Sequence, residues 1–339
     1  MTGVDPADRE QVVAALVHEL RTRWPGVDVR RQPLPVAAAT STWVWFVDLT
    51  GPELPAEATG PLVLRIFDRG QEVQADRESR LCDRLAASGF PAPATAWRGT
   101  LGDHPAQLQR RLPGVPAMEA IAGLRIRSVV RSLGALQAEL HTLPADRFDV
   151  PTLTAIGYLD ADLGRRRASV SAIDPSGTWD WLRRTAPIID ADRCDAVLCH
   201  GDFHPLNAVV ATDRSIGIVD WTDACRADRH LDVGRTVTLF QLAFVLAQRR
   251  SERWALRALR GHLVAWHLAG YQHASGVVLD HRVLAWWQVV HSYRGWLQLA
   301  ELDEATVTDR QSTTIEAFPS DLPARLLARC VALRRAVAM

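Results

Sequence analysis

Two short segments hold the side chains best suited to chemistry. The run Leu198-Cys199-His200-Gly201-Asp202-Phe203-His204-Pro205-Leu206-Asn207 puts an acid, two imidazoles and an amide in one loop, and Ile218-Val219-Asp220-Trp221 adds a second acid thirteen residues after Asn207. Phosphoryl transfer to an alcohol needs such a set. One carboxylate orients the hydroxyl and accepts its proton, while hard oxygen donors hold the cation that neutralises the phosphates. Asp202 is the candidate base: Gly201 permits a tight turn before it, and Pro205 stops the loop from continuing as a helix. Asn207 can offer its amide oxygen to Mg²⁺, and Asp220 supplies the charged ligand.

Short apolar runs bound by turn residues surround these segments. Strands are predicted over 196–199, 208–210 and 216–219. Upstream, residues 8–23 carry Val12, Val13, Leu16 and Leu20 at helical spacing, with Asp5 or Asp8 as cap. The runs 42–47 and 62–67 are predicted as adjacent antiparallel strands, and 72–87 as a helix stopped by Gly89. Pro91 and Pro93 enforce an extended connection. Residues 106–112 lead into Pro113-Gly114-Val115-Pro116, which has the composition of a hinge. Beyond it the stretches 125–142, 157–168, 229–248, 252–271, 282–302 and 322–337 show helical periodicity.

The chain of 339 residues exceeds a single typical domain of ~100–200 residues, which suits two lobes. Hydrophobic residues at 47% and charged residues at 23% leave no room for a mainly disordered chain. All 39 basic residues are Arg and they balance 39 acids with no long basic run, which leaves only a local patch as a route to nucleic acid and argues against it as a partner. Five cysteines with no CxxC pair favour a reducing compartment. The acidic, polar start and the lack of a run of ~20 apolar residues point to a cytoplasmic protein that neither carries a signal peptide nor enters a membrane.

His-Gly-Asp-Phe-His-Pro-Leu-Asn and Ile-Val-Asp-Trp resemble the catalytic loop and metal-binding Asp of aminoglycoside phosphotransferases and related kinase-like small-molecule kinases. The likeness covers roughly residues 38–240, in the expected order. It implies that Arg65, in Leu62-Val63-Leu64-Arg65-Ile66, contacts donor phosphates and that Glu78 is its acidic partner. Residues 108–114 resemble the adenine-side connector, Leu136 to Pro144 the helix before the catalytic half, and Asp228 and Asp232 the acidic pattern after the metal Asp. Where the family commonly has a Gly-rich or Ser-Asn phosphate loop, this chain reads Ala37-Ala38-Ala39-Thr40-Ser41-Thr42-Trp43. Phosphate capping then falls to the Ser41 and Thr42 hydroxyls and backbone N–H groups.

The resemblance implies an α+β, protein-kinase-like fold of two lobes: residues 1–112 as a small nucleotide-binding lobe with an antiparallel sheet, and 113–339 as a larger, mainly helical catalytic and acceptor-binding lobe. It implies ATP or GTP as donor, Mg²⁺ as cofactor, and a small-molecule hydroxyl acceptor of aminoglycoside, macrolide or metabolite type. The interval from Trp221 to Asp228 is too short for a protein-kinase activation segment. The alternative from another class is a nucleotide-binding regulator without turnover.

Several residues carry two readings. His200 and His204 lie four apart, but Gly201 and Pro205 argue against the helix a zinc pair needs, so His200 is read as bracing the loop and His204 as either a substrate contact or a structural residue. Asp228 and Asp232 either complement a helix dipole or, for Asp232, brace the loop. Trp266, Trp286, Trp287, Tyr293 and Trp296 are read mainly as core, with one or two left as candidates to line an acceptor pocket. Glu301, Asp303 and Glu304 either attract a cationic acceptor or form a solvated helix end.

Overall fold

The computed structural model describes residues 3–30, 33–35, 42–121, 126–172, 174–191, 196–245, 250–307 and 318–337. The chain forms two compact units: 1–116 with 148–150 and 208–222, and 117–147 with 151–207 and 223–339.

The first unit is built on an antiparallel sheet. Its strands β1 (Asp28–Val29), β3 (Trp43–Thr50), β4 (Pro61–Ile66), β6 (His104–Arg110) and β5 (Thr95–Leu101) lie side by side in that order, and β2 (Leu34–Pro35) also pairs with β3. Alternation along β4 sends Leu62, Leu64 and Ile66 to one face, where they pack with Trp45, Val47 and Leu108 under Val12, Leu16 and Leu20 of α1 (Arg9–Arg21). Asp8 caps α1, its carboxylate accepting from Glu10 N at 2.9 Å and Gln11 N at 3.2 Å. Arg65 belongs to the other face, in register with Val44 and Gln107. That face meets α2 (Glu72–Ala87), which buries Ala75, Glu78, Leu81 and Leu85.

A second small sheet in this unit orders β10 (Ile216–Ile218), β9 (Ala208–Val210) and β7 (Val115–Pro116). The segment expected as a hinge thus pairs with the hairpin that ends at Asp220. Gly114 is required there: its φ is +119° and a Cβ would lie 2.1 Å from Val210 O.

The second unit is helical: α3 (Ala117–Ile121), α4 (Ile126–Leu140), α5 (Ala155–Tyr158), α6 (Arg165–Ser169), α7 (Thr178–Ala191), α8 (Arg229–Leu242), α9 (Arg250–Ser275), α10 (His281–Val307) and α11 (Leu322–Val337), with β8 (Val197–Cys199) paired to β11 (Cys225–Ala227). The stretch predicted as one helix over 157–168 passes through a π-helical turn at Leu159–Gly164. Trp286, Trp287, Tyr293 and Trp296 are buried in the core, where Trp286 and Trp287 meet edge to face at 5.0 Å between centroids. Trp266 is half-buried against Val130, Phe240 and Leu263.

Helices α4 and α9 cross where each supplies a glycine. A Cβ on Gly134 would lie 2.1 Å from His267 O, and one on Gly270 2.1 Å from Arg131 O. Helix propensity alone makes Gly134→Ala favourable by about 1 kcal/mol. The clash reverses the sign, and we expect urea unfolding to report a net loss of about 1–3 kcal/mol. An unchanged or higher stability would contradict this close crossing.

Candidate active site

The loop following β8 is held by one buried carboxylate. Asp232, on the first turn of α8 and fully buried, accepts from Gly201 N at 2.8 Å, His200 N at 3.3 Å, Gln137 Nε2 at 3.1 Å and His141 Nε2 at 3.2 Å. Burial alone would raise its pKa, but the His141 hydrogen bond and the other donors bring it below its ordinary value. A further tier fixes these donors. His267, whose pKa burial pushes down to about 3, is neutral and donates through Nε2 to Gln137 Oε1 at 2.8 Å, and His141 Nδ1 lies 2.8 Å from the Tyr271 hydroxyl. Asp232 therefore braces the loop, whereas Asp228 caps α8 by accepting from His230 N at 2.8 Å.

Gly201 sits where no other residue fits, with φ at +80° and a would-be Cβ 2.2 Å from Asp223 O. His200 is fully buried, and its Nδ1 accepts from Asp202 N at 3.2 Å. Asp202 is thereby turned toward three side chains. Arg235 Nε donates to its Oδ1 at 2.7 Å, His204 Nε2 lies 3.2 Å from Oδ2, and Asn207 Nδ2 lies 3.4 Å from Oδ2 and 3.0 Å from the Asp202 carbonyl. Since His204 Nδ1 accepts from Leu206 N at 3.2 Å, Nε2 carries the ring proton and donates to Asp202. Burial would raise the Asp202 carboxyl, but the Arg235 guanidinium and then His204 hold it well below the usual carboxylate range.

The His200–His204 pair forms no metal cluster. Among the described residues the group of His, Cys and carboxylate atoms close enough to share an ion is His141, Cys199 and Asp232. There the carboxylate is already engaged by four N–H donors.

A second cluster lies within the sheet-bearing unit. Arg65 Nη1 meets Glu78 Oε1, and Nη2 donates to Asp220 Oδ1 at 2.9 Å. The Thr222 hydroxyl lies 2.9 Å from both Glu78 Oε2 and Asp220 Oδ1, and Trp221 N donates to Glu78 Oε1 at 3.3 Å. Burial opposes the charge on Arg65, yet Glu78 and Asp220 outweigh it and push its pKa up, so the guanidinium stays protonated. Burial pushes the Glu78 carboxyl up as well, opposed by Arg65 and by the Thr222 and Trp221 hydrogen bonds. Asp220 has φ at +66°, uncommon for a residue with a side chain, and its carboxylate is 38% exposed. An ionised oxygen donor at a solvent-reaching position suits a hard cation, as does an amide oxygen on Asn207.

Thr42 stands half-buried immediately before β3, while Ser41 lies outside the described residues. Arg235, Thr222 and Gln137 were not singled out in the sequence. The one local hint was Arg235, three residues after Asp232 on one helix face.

The phosphotransferase enzyme family matches residues 44–277, more than half of the chain, and the protein belongs to that family. Its class is that of phosphotransferase enzymes. An aminoglycoside phosphotransferase from Streptomyces rimosus, solved with ADP and streptomycin, is 17% identical with a TM-score of 0.60, over 84% of this chain and 98% of that one. A choline kinase from Streptococcus pneumoniae is 10% identical with a TM-score of 0.61, over 95% and 99%. An amicoumacin kinase solved with AMP-PNP and Ca²⁺ is 13% identical with a TM-score of 0.64, over 97% and 96%. These likenesses define the fold as α+β and protein-kinase-like, with a curled antiparallel sheet and a mostly helical remainder. No protein with a curated description matches the sequence. Among the described residues no helix is long and apolar enough to cross a membrane.

Asp202 and Asp232, both held below their ordinary values, contribute stability in full above the unfolded-state value of about 3.9 and lose it as pH falls below that toward their folded values. Asp232→Asn should cost roughly 2–4 kcal/mol in urea unfolding at neutral pH. The gap between wild type and variant should narrow near pH 3, whereas a pH-independent gap would show that the carboxylate charge is not what holds the loop.

Proposed function

We propose that this protein transfers the γ-phosphoryl group of ATP, with GTP as an alternative donor, to a hydroxyl of a small molecule, forming a phosphate ester. The observation that carries this reading is Asp202: an ionised carboxylate held by Arg235 and His204 on a loop whose backbone N–H groups end on a buried charge. Asp202 orients the acceptor hydroxyl and takes its proton. Its depressed pKa makes it a weak base, which suits a loose transfer in which the proton leaves late, once the oxygen–phosphorus bond is forming.

The donor set fits Mg²⁺. Asn207 donates through Nδ2 to the Asp202 carbonyl, so its Oδ1 remains the ligand atom, and Asp220 adds a carboxylate. The cation's contribution when bound is to neutralise the donor phosphates. Arg65, its guanidinium held by Glu78 and Asp220, supplies positive charge toward those phosphates, and Thr42 with Ser41 caps them through hydroxyl and backbone N–H groups. His204 is assigned a supporting contact to the acceptor beside its bond to Asp202. We assign the protein to the cytoplasm, where nucleoside triphosphates are abundant and Cys82, Cys199, Cys225 and Cys330 stay reduced.

The test is a screen of alcohol acceptors with γ-labelled nucleotide. Asp202→Ala should lower transfer by about 10²–10⁴-fold while leaving nucleotide affinity nearly unchanged. Equal transfer by the variant would remove Asp202 from this role, and nucleotide binding with no transfer to any acceptor would favour a regulator. Asp220→Asn should raise the Mg²⁺ concentration giving half-maximal rate by about ten- to a hundredfold. An unchanged requirement would remove Asp220 as a ligand.

A further inference from the structure

Two of the acids read as either drawing a cationic acceptor or forming a solvated helix end, Glu301 and Glu304, are engaged within the helical unit. Glu301 takes Arg166 Nη1 at 2.6 Å and the Ser169 hydroxyl at 2.9 Å, and Glu304 accepts from Ser171 N and its hydroxyl at 2.7 Å. These contacts tie residues 166–171 to α10. Asp162 and Asp223 are likewise drawn to Arg294, at 3.0 and 2.7 Å.

The catalytic loop instead borders a shallow apolar recess within the helical unit. Leu206, Leu239, Phe240, Leu256 and Leu263 contribute to its wall, and among the described lining residues the only polar side chain is His204. Since His204 Nε2 is 3.2 Å from Asp202 Oδ2, the recess adjoins the carboxylate that carries the proposed function. Leu206, an apolar side chain of that loop in the wall of the recess, is 51% exposed.

We propose that this recess receives an alkyl or ring portion of a neutral alcohol, so that the acceptor is selected by apolar burial beside its hydroxyl rather than by ammonium–carboxylate pairing. This rests on the phosphotransfer reading above. An ammonium entering the recess would shed water with no carboxylate among the described lining residues to replace it, whereas each buried methylene gains affinity.

Three probes test this: methyl β-D-glucoside, hexyl β-D-glucoside and kanamycin, each followed by thermal shift with Mg²⁺-ADP present and by transfer from γ-labelled ATP. Hexyl glucoside should bind and accept phosphate about tenfold better than methyl glucoside, the worth of one to two buried methylenes. Leu206→Asp should erase that preference, with Leu256→Gln as a second variant if the first does not fold. Equal behaviour of the two glucosides, including binding by neither, or preference for kanamycin, would overturn the proposal. Kanamycin phosphorylation without hexyl glucoside binding would do so while leaving phosphotransfer intact. Selective hexyl glucoside binding with no transfer to any acceptor would support the recess and count against phosphotransfer.

Discussion

A carboxylate sealed from water is tolerable only when its surroundings replace the lost hydration, and Asp232 meets that condition with four N–H donors. Two come from the backbone of His200 and Gly201, and two from Gln137 and His141 at the end of α4. The loop and the α4–α8 packing are therefore a single electrostatic unit. If the loop moved, a buried charge would lose partners, so its conformation is fixed far more tightly than a surface turn of the same length. Thr236 adds to this by donating to Phe203 O at 2.7 Å.

The same physics organises the sheet-bearing unit with the sign reversed. A buried guanidinium, Arg65, is shared between Glu78 and Asp220, and Thr222 joins the two acids. Holding Asp220 in the left-handed region costs of order 1–3 kcal/mol. That conformation persists because Arg65 and Thr222 fix the carboxylate from the side. Each cluster thus presents one acid at a defined position: Asp202 in the helical unit, Asp220 in the other.

Much of this was legible in the sequence where one residue type dictates one local outcome. Strands β3 and β4 follow from dense β-branched and aromatic runs, α1 and α2 from apolar periodicity with Asp8 and Gly89 at their ends, and the loop from Gly201 and Pro205 framing Asp202. Strand β5 was not legible because Arg98-Gly99 interrupts its alternation, nor α7, which carries Pro187 inside it. What escaped most completely was long-range electrostatics. Arg235 reaches Asp202 across 33 residues and Gln137 reaches Asp232 across 95, contacts that no local pattern encodes. Glu301 and Glu304 illustrate the converse, since a run of acids looks available until its partners at 166–171 are known.

The central claim is that Asp232 acts on catalysis through the position of Asp202. A double-mutant cycle in single-turnover phosphate transfer tests it, with Asp202→Asn, Asp232→Asn and the pair. If the claim holds, adding Asp232→Asn to Asp202→Asn slows transfer little further, because the group being positioned is already gone. Fully additive losses would contradict it.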